Sequence, residues 1–229
     1  MMLDLIDMVK KSGWWHKASC CIDSHYSNMS GIMLTDHLLA VAENIEAIFA
    51  QTNYGFFAEL FCALEDLRLD KETVKKELLL VALLHDIGKT QHDKMLHIIH
   101  PLNQKLVIKR HSIVSVYAAM EIFGQYAGLP EDEKQRMYWC IEQHDISYGL
   151  YRQYKEAGII PGLEKWKKLN DKIINRDGAG LMYLLIFKLA DIHGHANISD
   201  VIWFYNTVQQ KYFKPLGLYL PIPVESDMR

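Results

Sequence analysis

Leu78-Leu79-Leu80-Val81-Ala82-Leu83-Leu84-His85-Asp86-Ile87-Gly88-Lys89 decides how this chain folds. Leu78 to Leu84 has no polar face, so a helix over it belongs in the centre of the protein. At its end stand an imidazole and a carboxylate, which are costly in a buried place unless something uses them. A metal ion is the best candidate. Adjacent side chains on a helix point about 100° apart, so His85 and Asp86 cannot lie on one stripe. At a helix terminus both can border one cavity, and an Asp there can serve two ions, one per oxygen. Gly88 reads as the residue that ends the helix.

Four residues elsewhere are candidates to complete the site: His37, His111, His144 and Asp191, so that the chain reads H…HD…H…H…D. The pattern sits on helical periodicity. A helix starts near Thr35, read as its N-cap, with Leu38, Val41, Ile45, Ile48 and Phe49 on its buried side. Another covers 54–66, and Asp70 caps the helix that runs into the doublet. His111–Phe123 is helical, with Ile113, Val116, Tyr117, Met120 and Phe123 toward the core. Pro130 opens a helix carrying Met137, Ile141 and His144. Residues 149–162 read as loop or short helix, 163–175 as helix, 177–180 as turn, and 181–192 as a second nearly all-apolar helix ending at Asp191. A last helix spans 199–213, and the tail from Pro215 to Pro223 is too proline-rich to continue it. At the other end, 2–12 form a short amphipathic helix and 13–34 an irregular segment. Strand signals are weak. The expectation is an all-α helical bundle, one domain over 1–229, whose two most hydrophobic helices each deliver ligands. Bundles build metal sites in this way, from inward-facing side chains on different helices.

The bulk properties fit an ordinary globular chain: 229 residues, 50% apolar, 23% charged, formal net charge -3. That charge gives little drive toward nucleic acid or an anionic membrane. No run is long enough to span a bilayer, and the N-terminus lacks the features of a signal peptide. The four cysteines have no CxxC spacing, which points to reduced thiols and a cytoplasmic location. Imidazole and carboxylate ligands without thiolates suit Fe, Mn, Zn, Co or Ni.

The context of the six residues resembles the HD-domain metal-dependent phosphohydrolase superfamily in its two-metal form. The stretches that carry the likeness are T-D-H-L-L-A-V-A-E-N-I at His37, L-L-H-D-I-G-K at the doublet, K-R-H-S-I-V-S-V-Y-A-A at His111, E-Q-H-D-I at His144 and F-K-L-A-D-I at Asp191. They span roughly 35–195. The resemblance implies an HD-domain helical bundle with two divalent ions. One is held by His37, His85, Asp86 and Asp191, the other by Asp86, His111 and His144. A water or hydroxide bridging them attacks phosphorus, and the partner is a small phosphorylated molecule. Lys89 is a candidate to bind phosphate or to protonate a leaving group, so Asp86 and Lys89 are the candidate catalytic pair. Arg110 and Asp145 are further candidates for substrate contact.

The subclass is open. The G-Y-P signature of cyclic-dinucleotide phosphodiesterases is absent, and no synthetase domain is attached. The chain is similar to stand-alone nucleotidases, dinucleotide hydrolases and small phosphodiesterases, as a monomer or homodimer. Two other readings share the ligand pattern: a di-iron oxygenase of the same superfamily, and a non-catalytic metal-binding sensory domain. His92, His97 and His100 are candidates for phosphate or water, and His193, His195 and Asn197 for hydrogen bonds to a ligand. His16, His25, Trp14, Trp15 and Tyr26 lie in the N-terminal segment, where the aromatics either stack on a base or, as we favour, pin the loop.

Overall fold

Lys71–Leu84 is a helix, and from Leu78 onward every residue in it is buried. The structure, a computed structural model, describes residues 2–23, 31–51, 55–91, 96–170, 179–192 and 198–224. His25, Tyr26, His92, His193, His195, Asn197 and the 177–178 half of the expected turn lie outside the described residues. The elements are α1 (Met2–Lys11), α2 (Gly13–Ser19), α3 (Leu34–Ala50), α4 (Gly55–Asp66), α5 (Lys71–Leu84), β1 (His97–Ile99), β2 (Leu106–Ile108), α6 (His111–Gly124), α7 (Glu131–Gln143), α8 (Ile146–Ala157), α9 (Leu163–Asn170), α10 (Ala179–Asp191) and α11 (Ser199–Val208). The fold is predominantly α-helical, with one small two-stranded sheet among the described residues. The chain divides into two compact units, one of residues 1–43 with 76–143, the other of 44–75 with 144–229.

In the first unit, α1 turns tightly into α2. Ser12 caps α2 by accepting a hydrogen bond from the Trp15 backbone N–H at 3.1 Å, so 13–19 is helical and the irregular segment expected over 13–34 is shorter by that helix. The lone polar cap is a weak signal in a stretch of mixed aromatics. Trp14 donates its indole N–H to Glu121 on α6 at 2.9 Å, so this aromatic pins α2 to the bundle. Thr35 is not the N-cap of α3. The helix begins at Leu34, and the Asp36 carboxylate reaches back to the Met33 N–H at 3.3 Å, the carboxylate half of a capping box. Between α5 and α7, buried Glu77 accepts from Arg136 Nε at 2.9 Å on one oxygen and from Nη2 at 2.5 Å on the other, the planar fork that a guanidinium offers a carboxylate.

The chain after α5 departs most from expectation. Helix α5 ends at Leu84, and Ile87–Thr90 forms a separate 3-10 turn with Gly88 inside it. Gly88 does not act as a left-handed cap. Its role is close approach: a Cβ there would run into the His111 carbonyl oxygen and lie 2.7 Å from the Ser115 nitrogen. The Gly88 N–H also donates to Ser115 Oγ at 2.8 Å. On α6, Tyr117 and Met120 are exposed rather than in the core, and the Tyr117 hydroxyl donates to the Ile99 carbonyl on β1. The hairpin β1–β2, with Ile98 opposite Val107, was illegible because three-residue strands are too short to establish alternation.

In the second unit, α10 is buried from Ala179 to Ala190. Its ends are held by two asparagines. Asn170 Oδ1 accepts from the Gly180 N–H at 2.8 Å, and Asn44 Nδ2 donates to the Ala190 carbonyl at 2.9 Å. Such partners satisfy groups that helix ends otherwise leave bare. Residues 146–157 are a full helix, α8, and the last helix gives way at Val208 to a π turn over Gln209–Phe213. The proline-rich tail is non-helical and buries Leu220, whose N–H donates to Gln209 at 2.8 Å.

Gly88→Ala is expected to destabilise the protein by about 3 kcal/mol or more, because backbone rather than a flexible side chain must move, which urea unfolding would measure. Tyr138 gives a pH prediction. It is buried and stacked on Phe123 at 5.9 Å, and burial, with Glu131 adding to it, pushes its phenol up to about 12. A pKa raised in the folded state contributes stability that is complete below the unfolded value near 10 and is lost as pH climbs toward 12. Wild type should therefore lose about 1–3 kcal/mol more than Tyr138→Phe between about pH 9 and 12, read from denaturation midpoints at each pH.

Candidate metal centre

Asp86 follows α5 directly, and the 3-10 turn after it folds the chain back. The Lys89 N–H bonds to the Asp86 carbonyl at 2.9 Å, and the Lys89 ammonium reaches the Asp86 carboxylate at 2.5 Å. The two oxygens of this buried carboxylate face different histidines. Oδ2 lies 3.4 Å from His85 Nε2 and 3.6 Å from His37 Nε2, while Oδ1 lies 3.2 Å from His111 Nε2. His37 comes from the first turn of α3, and His111 is the first residue of α6. The close approach at Gly88 is what brings the start of α6 to this point.

The ring of His85 is fully buried, with Nδ1 2.9 Å from the Ala82 carbonyl. A carbonyl only accepts, so Nδ1 carries the proton, and in the neutral ring Nε2 is left with the lone pair. A hydrogen bond of this type fixes tautomer and orientation in metal-binding histidines. The Nε2 atoms of His37 and His85 stand 3.3 Å apart, a spacing that two ligands to one ion explain.

Lys89 is 8% exposed at its side chain and also touches Asp23 Oδ1 at 3.2 Å. Burial pulls its ammonium downward, but Asp86 and then Asp23 outweigh that, and the net pKa is above the ordinary lysine value. Asp23 is itself fully buried, and its Oδ2 lies 4.0 Å from His37 Nδ1. Sequence reading missed it; its only signal was an acid in a segment otherwise rich in aromatics and small residues.

His144 follows α7 and is buried, edge-on to Phe187 at 6.3 Å between ring centroids. Half-exposed Asp145 approaches its Nε2 at 3.4 Å. Asp191 ends α10 and accepts from Lys188, one turn earlier, at 2.7 Å. Lys188 was also missed, although it is the one cation in an otherwise apolar helix. Arg110 is exposed at the N-cap position of α6 and makes no capping bond with its side chain. His100 is structural: its Nδ1 accepts from the Leu102 and Asn103 N–H groups at 3.2 and 3.3 Å, so Nε2 donates to Glu142 at 2.8 Å. His97 is exposed on β1.

The candidate ligands gather in two clusters. His37, His85 and Asp191 offer ligand atoms within 4.8 Å of one another, and so do Asp86, His111 and His144. Neutral imidazoles and carboxylates at these distances fit two divalent ions. Residues 34–127 match the profile of the HD domain. The matched stretch contains His37, His85, Asp86 and His111, whereas His144 and Asp191 lie beyond it and join the clusters through the fold. A search of curated proteins finds no match. This HD-type two-metal site suits metal-dependent phosphohydrolase chemistry in general. Among the described residues no helix is long and apolar enough to cross a membrane.

Lys89→Met would strand Asp23 and Asp86 beside each other without their shared cation. Breaking a buried pair in this way costs about 3–5 kcal/mol. In chelator, urea unfolding should show a loss of that size for Lys89→Met. The exposed pair Lys167–Glu164 supplies the control, and Lys167→Met should leave stability almost unchanged.

Proposed function

We propose that this HD-domain chain is a two-metal phosphohydrolase cleaving a phosphate ester or anhydride of a nucleotide or related small molecule. One observation carries the proposal: Asp86 turns one oxygen toward His37 and His85 and the other toward His111. A carboxylate so placed suits a bridge between two ions. His37, His85, Asp86 and Asp191 would hold one ion, and Asp86, His111 and His144 the other. Two bound divalent ions supply Lewis acidity, a water of lowered pKa, and charge against both the entering and leaving oxygens.

The chain's own residues provide the remainder. Lys89 holds its ammonium against the carboxylate, suited to a phosphoryl oxygen or a departing oxyanion, and phosphoryl transfer depends chiefly on such electrostatic positioning. The exposed Arg110 guanidinium, next to His111, offers two parallel hydrogen bonds to phosphate. Asp145 borders His144 and orients that ring or a water. All four cysteines are free thiols, which suits a reducing cytoplasm.

The test is hydrolysis of a panel of nucleotides and phosphate esters by protein loaded with Mn or, anaerobically, with Fe. Asp86→Ala should abolish turnover, a loss on the order of 10³-fold or more. Activity retained in that variant sinks the mechanism. His111→Ala should bind one ion fewer by elemental analysis, and two ions in that variant refute its place in the site. Turnover that requires O₂ would point instead to oxygenation.

A further inference from the structure

We infer that Lys188 is a positioning residue of the metal centre: it holds the Asp191 carboxylate by Oδ2 and fixes the orientation in which Asp191 meets an ion. The inference rests on the two-metal reading and adds a residue to it.

Lys188 lies in the last turn of α10, where every other residue from Ala179 to Ala190 is uncharged. It is 4% exposed. A lysine in such a place is expensive, since an ammonium leaves water only when it is paired. Solvation does not require the residue there, and an apolar side chain would pack the helix as well. Its contact is specific: Nζ stands 2.7 Å from Asp191 Oδ2, three residues along the same helix. The spacing makes the two side chains neighbours on one face. Other charges face the same ammonium. Burial pulls its pKa down, and Asp191, then Asp145 and Asp200, raise it above the ordinary value. Asp200, at the start of α11, is tied to α8 through Ser147 Oγ at 3.4 Å. The field at Lys188 thus includes carboxylates at the starts of α8 and α11, while its direct contact is with Asp191.

The consequence for Asp191 is geometric. An ammonium bonded to Oδ2 occupies one lone pair of that oxygen and limits the rotation of the carboxylate. Groups that orient a ligand in this manner typically change metal affinity about 10- to 100-fold when removed. Charge alone works in the opposite direction. Deleting a cation beside a carboxylate strengthens its attraction for a divalent ion. Orientation and simple charge compensation therefore predict effects of opposite sign.

Metal-free wild type, Lys188→Met and Lys188→Arg would be titrated with Mn²⁺, with bound ion followed by electron paramagnetic resonance and folding by circular dichroism. Wild type should bind two ions. Lys188→Met should bind one of them about 10- to 100-fold more weakly and the other unchanged, and Lys188→Arg, which keeps charge and donor, should recover to within a few-fold. Equal or tighter binding of both ions by Lys188→Met overturns the inference and makes Lys188 a counter-ion only. An equal loss in both variants also overturns it. If Lys188→Met does not fold, the Arg variant decides, wild-type affinity supporting the inference and weakened affinity rejecting it. Wild type binding fewer than two ions defeats the two-metal reading, and this inference with it.

Discussion

The structure depends on one buried carboxylate. Asp86 is 2% exposed, and an ionised group so far from water is stable only if charges and donors surround it. Lys89 supplies the charge, and His37, His85 and His111 surround both oxygens. His85 and Lys89 are near neighbours of Asp86 in the chain, while His37 and His111 must arrive from other parts of it. The needs of one side chain therefore constrain where α3, α5, the 3-10 turn and α6 come together.

The local chain geometry follows from that constraint. Helix α5 ends at Leu84, and the 3-10 turn that follows keeps Lys89 within one turn of Asp86, where its ammonium meets the carboxylate. The turn can sit there only because Gly88 has no side chain, which lets the His111 carbonyl and the Ser115 amide pack against it. One glycine thus serves the backbone packing and the placement of a histidine at the same time. The same economy appears in α10, where an apolar helix carries a single Lys–Asp pair at its end. Asp86 and Asp191 each have a lysine three residues away, in opposite chain directions.

Much of this was legible. Apolar runs at Leu78–Leu84 and Leu181–Ala190 identified the buried helices, because a segment without a polar face has nowhere else to go. The ordered histidines and aspartates identified the ligand candidates. Gly88 was misread as a helix cap because a glycine after an apolar run has the same local appearance whether it supplies a left-handed turn or room for another backbone. Thr35 was misread because capping depends on which residue's side chain bends back, and Asp36 does so instead. The hairpin and α2 rest on short stretches whose local preferences are weak.

The sequence by itself determined the helical class, the two apolar helices and the chemistry of the ligands, since these depend on residue type and on spacing of a few residues. Only the tertiary structure decided which atoms face one another: that Asp86 divides its oxygens between histidines, that Asp23 shares Lys89, and that Lys188 holds Asp191. Those contacts join residues through backbone turns and close packing, and no periodicity along the chain encodes the direction in which a side chain meets a distant partner.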